Sequence, residues 1–83
     1  MAYLYILYSA ELDKFYVGHT TQTLDERLQK HLSEHDGFTA KAKDWAIVYS
    51  ELLPSKNDAY ARERQIKAWK SRKKISQLIQ NGM

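Results

Sequence analysis

The chain contains no cysteine and very little proline or glycine. Its 83 residues include one proline and three glycines, and 43% of them are hydrophobic. Without cysteine there is no disulfide bond and no thiolate metal site, so thiol-based catalysis is excluded. With so few chain-breaking residues and so many apolar ones, the composition is that of a globular domain and not of a disordered segment.

Long apolar runs and a secretion signal are also missing. No stretch approaches the ~20 apolar residues of a membrane span, and residues 1–8 lack the basic start of a signal peptide. We therefore expect a cytoplasmic protein. Because a chain of this length buries only a little over ~60% of its unfolded surface, we expect one domain over residues 1–83. A glycine-rich phosphate loop and a Ser/His/Asp set are absent as well, so ATP-dependent chemistry is not supported.

Basic residues are concentrated in the second half of the chain, although the net charge is only +3. Residues 1–40 contain three Lys or Arg and six Asp or Glu, whereas residues 41–83 contain ten and four. From residue 62 onward there are seven basic residues and a single acid, Glu63. Such asymmetry indicates a polyanionic partner, nucleic acid first and an anionic membrane second. A solvated basic helix with no partner is the alternative.

Three short segments have the composition of β-strands. Residues 3–8 (YLYILY) are rich in β-forming residues and too short for a helix, and residues 15–19 and 45–51 are predicted as two further strands. The short connection between the first two favours an antiparallel hairpin. Because side chains alternate, a pairing that brings Tyr5 and Tyr16 to the same face is permitted, although the residues alone do not set the register.

The first helix is predicted to begin at a capping box. The Thr23 hydroxyl can accept from a first-turn amide, and Glu26 can reach back to the Thr23 amide. We expect this helix to end near His35, with a loop over residues 36–44. An apolar stripe along it repeats every four residues: Leu24, Leu28 and Leu32.

Two more helices are predicted after the third strand, which Pro54 ends. The second starts around residues 55–58 and runs to about Lys70, and Ser71 can cap a third, short helix. The order β-β-α-β-α-α predicts an α+β fold with a three-stranded antiparallel sheet flanked by helices.

Glu63 stands out because of its place on the second helix. Ala59, Glu63 and Ile66 fall at i, i+4 and i+7, so the carboxylate shares a face with apolar residues. A carboxylate turned inward is costly unless it is paired or binds a cation. An ion pair with Arg27 or with Lys67 would satisfy it. A single carboxylate also suits Mg²⁺, which keeps most of its waters and takes a substrate phosphate as another ligand.

Arg27 and His31 lie four residues apart on the first helix and therefore share one face. An arginine there can hold a phosphate and stabilise the extra charge of its transition state. His31 can relay a proton or donate to the phosphate. A solvated helix face is the alternative, because charged neighbours surround both residues. The three histidines contain no ligand-spaced pair, so they do not argue for zinc.

The strand tyrosines Tyr5 and Tyr16 would ordinarily be half-buried sheet residues. As a base, a phenol with a pKa of ~10 would need a nearby cation such as Arg27 or Lys14, and otherwise it would only orient water. The second half of the chain also interleaves aromatic and basic residues, which suits phosphate contacts and base stacking. We expect Trp69 to be a core residue instead.

The order and spacing of five features resemble the GIY-YIG nuclease domain. These features are the YLY segment at residues 3–5, the YVG segment at residues 16–18, Arg27, His31 and Glu63. The likeness covers nearly the whole chain. It is greatest to the small stand-alone members of that superfamily, and the N-terminal domain of the bacterial excision-repair nuclease is also similar. The closing segments that carry this likeness are DAYARERQIK, SRKKI and LI, at residues 58–67, 71–75 and 78–79.

The resemblance implies a role for each matching residue. In the family, two sheet tyrosines, a helix arginine and a glutamate on a later helix surround the scissile phosphate. These positions correspond to Tyr5, Tyr16, Arg27 and Glu63, and His31 matches a histidine found in many members. Glu63 would bind Mg²⁺ or Mn²⁺, one tyrosine would activate or orient water, and Arg27 would offset transition-state charge.

The resemblance also implies the substrate. We expect hydrolysis of DNA with low sequence specificity, possible structure selectivity and a link to repair or recombination; RNA is not excluded. The chain carries no additional DNA-binding domain of the kind that larger members use, so a protein partner could supply specificity. The residues expected to contact nucleic acid are His19, Arg62, Lys67, Lys70, Arg72, Lys73 and Lys74.

Two departures from the family pattern bear on this interpretation. Tyr3 and Leu4 replace the glycine and isoleucine of the first motif, while the reactive tyrosine is retained. Several members have a late asparagine, for which Asn81 is the candidate.

Two alternatives to the nuclease stay open. One is a non-catalytic module that holds nucleic acid through the basic C-terminal helices. The other is an adaptor for an anionic membrane or a protein, built on the small apolar face of residues 71–80. The oligomeric state and the choice of base tyrosine are also open.

Overall fold

The computed structural model describes residues 1–33 and 37–82. It confirms the α+β fold and its element order, β-β-α-β-α-α. The antiparallel sheet has the order β2-β1-β3, so the first strand is central and the other two are its edges. The elements are β1 (Ala2–Ser9), β2 (Lys14–Thr20), α1 (Leu24–Ser33), a 3₁₀ turn (Phe38–Lys41), β3 (Ala46–Leu53), α2 (Lys56–Ala68) and α3 (Arg72–Asn81).

The 3₁₀ turn is a correction, because residues 36–44 were expected to be a loop. Contacts with α1 and with the residue before β3 hold this turn: Thr39 is buried, its hydroxyl lies 3.1 Å from His31 Nδ1, and the indole N–H of Trp45 donates to the Thr39 carbonyl at 2.9 Å. Trp45 itself precedes β3 and lies in the core, instead of starting the strand. Local sequence patterns do not indicate contacts between separate elements, so the turn was not predicted. The predicted end of α1 near His35 lies outside the described residues.

The strand pairing decides which side chains meet. Tyr5 pairs with Gly18 and Leu7 pairs with Tyr16, so both tyrosines lie on one face of the sheet, as the alternation permitted. The register against β3 shifts between Ile6 and Leu7, which is the signature of a β-bulge.

Each face of the sheet is covered by its own helices. The face that carries Tyr5 packs against α1 and its apolar stripe, confirming that stripe as a core contact. The opposite face packs against α2 and α3 around the fully buried Ile66. Trp69 packs on this second cluster, as expected, and so do the apolar residues of α3: Ile75, Leu78 and Ile79. The small apolar face proposed for an adaptor is therefore used within the fold. Among the described residues, no helix has the length and apolarity needed to cross a membrane.

Serine caps begin the last two helices. The Ser55 hydroxyl accepts from the Asp58 amide, and the Ser71 hydroxyl accepts from the Lys74 amide, both at 3.2 Å. At α1, Thr23 accepts from the Glu26 amide at 3.2 Å as predicted, but the Glu26 carboxylate accepts from the Thr23 hydroxyl and does not reach its amide. These local bonds explain where the helices begin.

We predict that Ile66→Ala lowers the free energy of unfolding by about 2–5 kcal/mol, because it leaves a cavity between α2 and the sheet. Ile66 is completely buried, whereas Leu52 on the edge strand β3 is 56% exposed. Leu52→Ala is the matched control and should change stability by less than about 0.5 kcal/mol. Urea denaturation measures both, and equal losses would contradict this packing.

Candidate active site

The phenol of Tyr5 is the point on which two side chains of α1 converge. Its ring is 1% exposed, and its oxygen lies 2.7 Å from His31 Nε2 and 3.1 Å from Arg27 Nε. Arg27 can only donate, so the phenol oxygen accepts from it. The prediction that Arg27 and His31 share a functional face is therefore consistent with the structure, and the group they share is Tyr5.

His31 links this phenol to the 3₁₀ turn. The ring is 2% exposed, and its Nδ1 lies 3.1 Å from the Thr39 hydroxyl. The bonds are satisfied when Nδ1–H donates to Thr39 and Nε2 accepts from the Tyr5 hydroxyl, which is the tautomer we assign. Tyr5 and His31 then form a short path along which a proton can move.

Burial keeps Tyr5 a neutral phenol at neutral pH. Desolvation raises its pKa above the ordinary 10.0, while the hydrogen bond and charge of Arg27 lower that pKa and offset part of the effect. The expected cation is therefore present, but it does not produce a standing phenolate. Tyr5 is suited to orienting a water, or to accepting a proton only as it passes its own to His31.

Gly18 makes room for the Tyr5 ring. A Cβ at residue 18 would lie 2.6 Å from the phenol oxygen and 2.7 Å from the ring carbon that bears it. Because Tyr5 is held by Arg27 and His31, the ring cannot simply rotate away. Gly18, the last residue of the second motif, is thus needed because its cross-strand partner Tyr5, in the first motif, occupies the space of a side chain at that position.

Tyr16 lies beside this centre. Its ring centroid is 6.4 Å from that of Tyr5 and 4.9 Å from that of His31, and Lys67 Nζ lies 5.8 Å from the centroid of Tyr16. Tyr16 belongs to the edge strand β2 and is only partly buried. Tyr16 thus lies between the Lys67 amine and the His31 ring, and its role toward water stays a prediction.

Glu63 faces the opposite side of β2. Its side chain is 13% exposed; one oxygen lies 2.8 Å from His19 Nδ1 and the other 3.0 Å from Lys67 Nζ. The inward placement predicted from Ala59 and Ile66 is consistent with their complete burial. Of the two predicted ion pairs, the structure contains the one with Lys67, while Arg27 instead bonds Tyr5. The pairing with His19 depends on tertiary structure, and no sequence signal indicated it.

The donor set around Glu63 fits a metal that keeps its own water. In residues 1–33 and 37–82 no group of three or more His, Asp or Glu is arranged as a metal cage. A single carboxylate is what a hydrated Mg²⁺ with a phosphate ligand requires. Lys67 is 52% exposed on a flexible stem, so its amine can leave the carboxylate at little cost. Glu63 would then hold the metal, and His19 would fix its orientation.

A polar cleft of about 320 Å³ opens next to Arg27 and His19. Its lining contributes three cationic side chains, Arg27, Lys30 and Lys56, which can bind a phosphodiester. Neither Lys30 nor Lys56 is among the residues that the sequence predicts to contact nucleic acid. Lys30 lies three residues after Arg27 on the same helix, a spacing that could have indicated it, whereas Lys56 arrives from α2 through the tertiary fold.

The basic residues predicted to contact nucleic acid fall into two groups. Arg62 donates to Glu51 at 3.1 Å, and Arg72 pairs with Asp13, so these two guanidinium groups also hold the fold together. The other group consists of Lys67, Lys70, Lys73 and Lys74, which are exposed, as Arg72 also is, and of which Lys67 pairs with Glu63. Asn81 is exposed at the end of α3. Contact of these residues with nucleic acid stays a prediction.

Comparison with known proteins adds one finding. A sequence model of the GIY-YIG catalytic domain matches residues 1–76, from the first residue into α3. The matched range contains Tyr5, Tyr16, Arg27, His31 and Glu63, whereas Asn81 lies beyond it. No curated protein and no solved structure matches the chain significantly.

We predict that Gly18→Ala lowers the free energy of unfolding by about 1–3 kcal/mol, because the new methyl group overlaps the held Tyr5 ring. The control is the same substitution in a Tyr5→Leu background, where the overlapping atoms are gone. There the added loss should be much smaller, and urea denaturation of all four proteins gives the coupling. Additive losses would show that Tyr5 does not occupy the space over Gly18.

We also predict that Tyr5 makes folding less favourable at alkaline pH. Since the folded-state pKa is raised, the unfolded chain loses this proton first, and the stability present below pH 10.0 is lost as pH rises above it. Tyr5→Phe removes this contribution, so its stability should decline less between about pH 9 and about pH 11 than that of wild type. An identical decline in urea denaturation would contradict the raised pKa.

Proposed function

Because the chain belongs to the GIY-YIG family, a family of metal-dependent endonucleases, we propose that it hydrolyses DNA phosphodiester bonds at the site around Tyr5, Arg27 and Glu63. The family assignment makes the activity that of a nuclease and its substrate a nucleic acid. The observation that supports these residues as the active site is that Arg27 and His31 both contact the Tyr5 phenol. The phenol can exchange a proton with His31, and Arg27 beside it can bind a phosphate.

The cleft positions the phosphate. Arg27 both donates to Tyr5 and lines the cleft, so its guanidinium connects a phosphate bound there to the phenol. Lys30 of α1 and Lys56 at the start of α2 add positive charge to the same cleft. As charge accumulates on the phosphoryl oxygens in the transition state, the Arg27 guanidinium stabilises it.

Tyr5 and His31 handle the proton of the attacking water. The water gives its proton to the phenol oxygen while the phenol hydroxyl gives its own to His31 Nε2, so Tyr5 stays neutral and His31 becomes the cation. The water oxygen then forms its bond to phosphorus as the bond to the leaving oxygen breaks. Arg27 and the Thr39 hydroxyl hold the two members of this path in line.

Glu63 is the proposed ligand for Mg²⁺ or Mn²⁺. When bound there, the metal would supply positive charge to the scissile phosphate and its leaving 3′-oxygen. His19 holds one carboxylate oxygen, and the exposed Lys67 covers the other until a cation replaces it. Tyr16, between Lys67 and His31, is the second candidate for orienting the water.

The proposal also covers the specificity, a protein partner, the location and the extent of the domain. We expect weak sequence specificity, with selection of DNA structure and a role in repair or recombination. A protein partner would add specificity, and the cytoplasm is the proposed location. We propose residues 1–83 as one nuclease domain, with the exposed lysines of α2 and α3 contacting phosphates.

We predict that Glu63→Gln, Arg27→Leu and Tyr5→Phe each reduce cleavage by at least about 100-fold, since each removes one part of the site. The assay uses labelled single-stranded, duplex, flap and branched DNA, and an RNA strand, with Mg²⁺ or with a chelator. Chelation should abolish cutting by wild type.

Glu11→Gln and Tyr8→Phe are the matched controls for Glu63→Gln and Tyr5→Phe, because Glu11 is exposed between β1 and β2 and Tyr8 lies on the opposite face of β1 from Tyr5. Both should cut like wild type. Cleavage that persists in Glu63→Gln would remove that residue from the metal site. Salt-sensitive binding without any cleavage would instead favour the non-catalytic binding module.

A further inference from the structure

Phe38 is a large aromatic residue that the fold leaves partly in water. Its side chain is 38% exposed at the start of the 3₁₀ turn. Its ring stacks on Tyr16 with centroids 6.2 Å apart and an interplanar angle of 22°, and Trp45 supports it at 5.8 Å. One part of the ring is thus held by other aromatic rings while another part faces solvent.

Two cations flank this ring. Lys14 Nζ lies 5.9 Å from the ring centroid and Lys41 Nζ lies 5.7 Å from it. The two lysines come from different elements, β2 and the 3₁₀ turn, and both are exposed. An exposed cation–π contact contributes only ~0.5–1 kcal/mol, so either amine can turn from the ring to a phosphate.

The Phe38 ring is also linked to the proposed active site by a series of contacts. Phe38 contacts Tyr16, Tyr16 contacts His31, and Lys67 lies between the Tyr16 ring and the Glu63 carboxylate. Phe38 is therefore separated from the catalytic centre by one aromatic ring. All of these groups lie along β2, an edge strand whose outer side has no neighbouring strand in the described sheet.

We propose that Phe38, with Lys14 and Lys41, is a stacking platform for an unpaired nucleobase next to the scissile phosphate. This inference rests on the proposed function and gives it a substrate class: DNA that is single-stranded at the nucleotide bound by Phe38. Inside a duplex both faces of a base are covered by its neighbours, so a protein ring can stack only on an unpaired or terminal base. The lysines match the charge of the adjoining phosphates.

The platform is tested with a single-stranded oligonucleotide that carries 2-aminopurine, a base whose fluorescence falls when it stacks. Binding is measured with a chelator present, so that no cleavage occurs, and a blunt duplex of the same sequence is the second ligand. Phe38→Leu should abolish the fluorescence decrease and weaken single-strand binding about tenfold. Duplex affinity should change less than about twofold, because the phosphate contacts are retained.

Two variants control for a change of fold. Phe38→Trp keeps an aromatic face and should retain both the fluorescence decrease and the affinity. Leu52→Ala removes another exposed apolar side chain, on the far edge strand, and should bind like wild type. Unchanged single-strand binding by Phe38→Leu, or equal losses on single strand and duplex, would overturn the platform.

The same proteins separate this inference from the nuclease proposal. If wild type never cuts but its fluorescence decrease depends on Phe38, the platform stands and the proposed catalysis fails. If wild type cuts with Mg²⁺ and Phe38→Leu keeps its ratio of single-strand to duplex cleavage, the platform fails and the nuclease stands.

Discussion

The buried phenol of Tyr5 joins the sheet to α1 and holds Arg27 and His31 in place. It sits on the central strand, over a glycine of β2, and receives two side chains from α1. A buried phenol with an unsatisfied hydroxyl would be costly, so its hydrogen bonds also tie α1 to the sheet. Stability and proposed chemistry therefore use the same contacts, and the arginine and histidine cannot be moved independently of the core.

The edge strand β2 connects two halves of the site that lie on opposite faces of the sheet. Gly18 lies beneath Tyr5 on the face covered by α1, while the next residue, His19, holds Glu63 on the face covered by α2. Consecutive strand residues point to opposite faces, so one dipeptide reaches both halves. At an edge strand no further strand intervenes, and although burial is the main cause of the raised pKa of Tyr5, the Glu63 charge adds to it.

Positive charge in this protein serves two purposes. Arg62 and Arg72 join α2 and α3 to Glu51 and Asp13, so part of the basic C-terminal half is used within the fold. Other cations gather along β2, in the cleft at one end and beside Phe38 at the other. The cations on that edge come from both halves of the chain. The concentration of basic residues in the second half therefore only partly describes the surface that a polyanion would contact.

The element order, the three-stranded sheet and the inward face of Glu63 could be predicted from the residues, because they follow from local periodicity and capping residues. The sequence also placed Arg27 and His31 on one helix face, since their spacing is that of one turn. The folded structure was needed to see that this face meets Tyr5, that His19 holds Glu63, and that Lys56 and Phe38 flank the site. These contacts join residues far apart in the chain, and strand register and packing create them, so no local pattern encodes them.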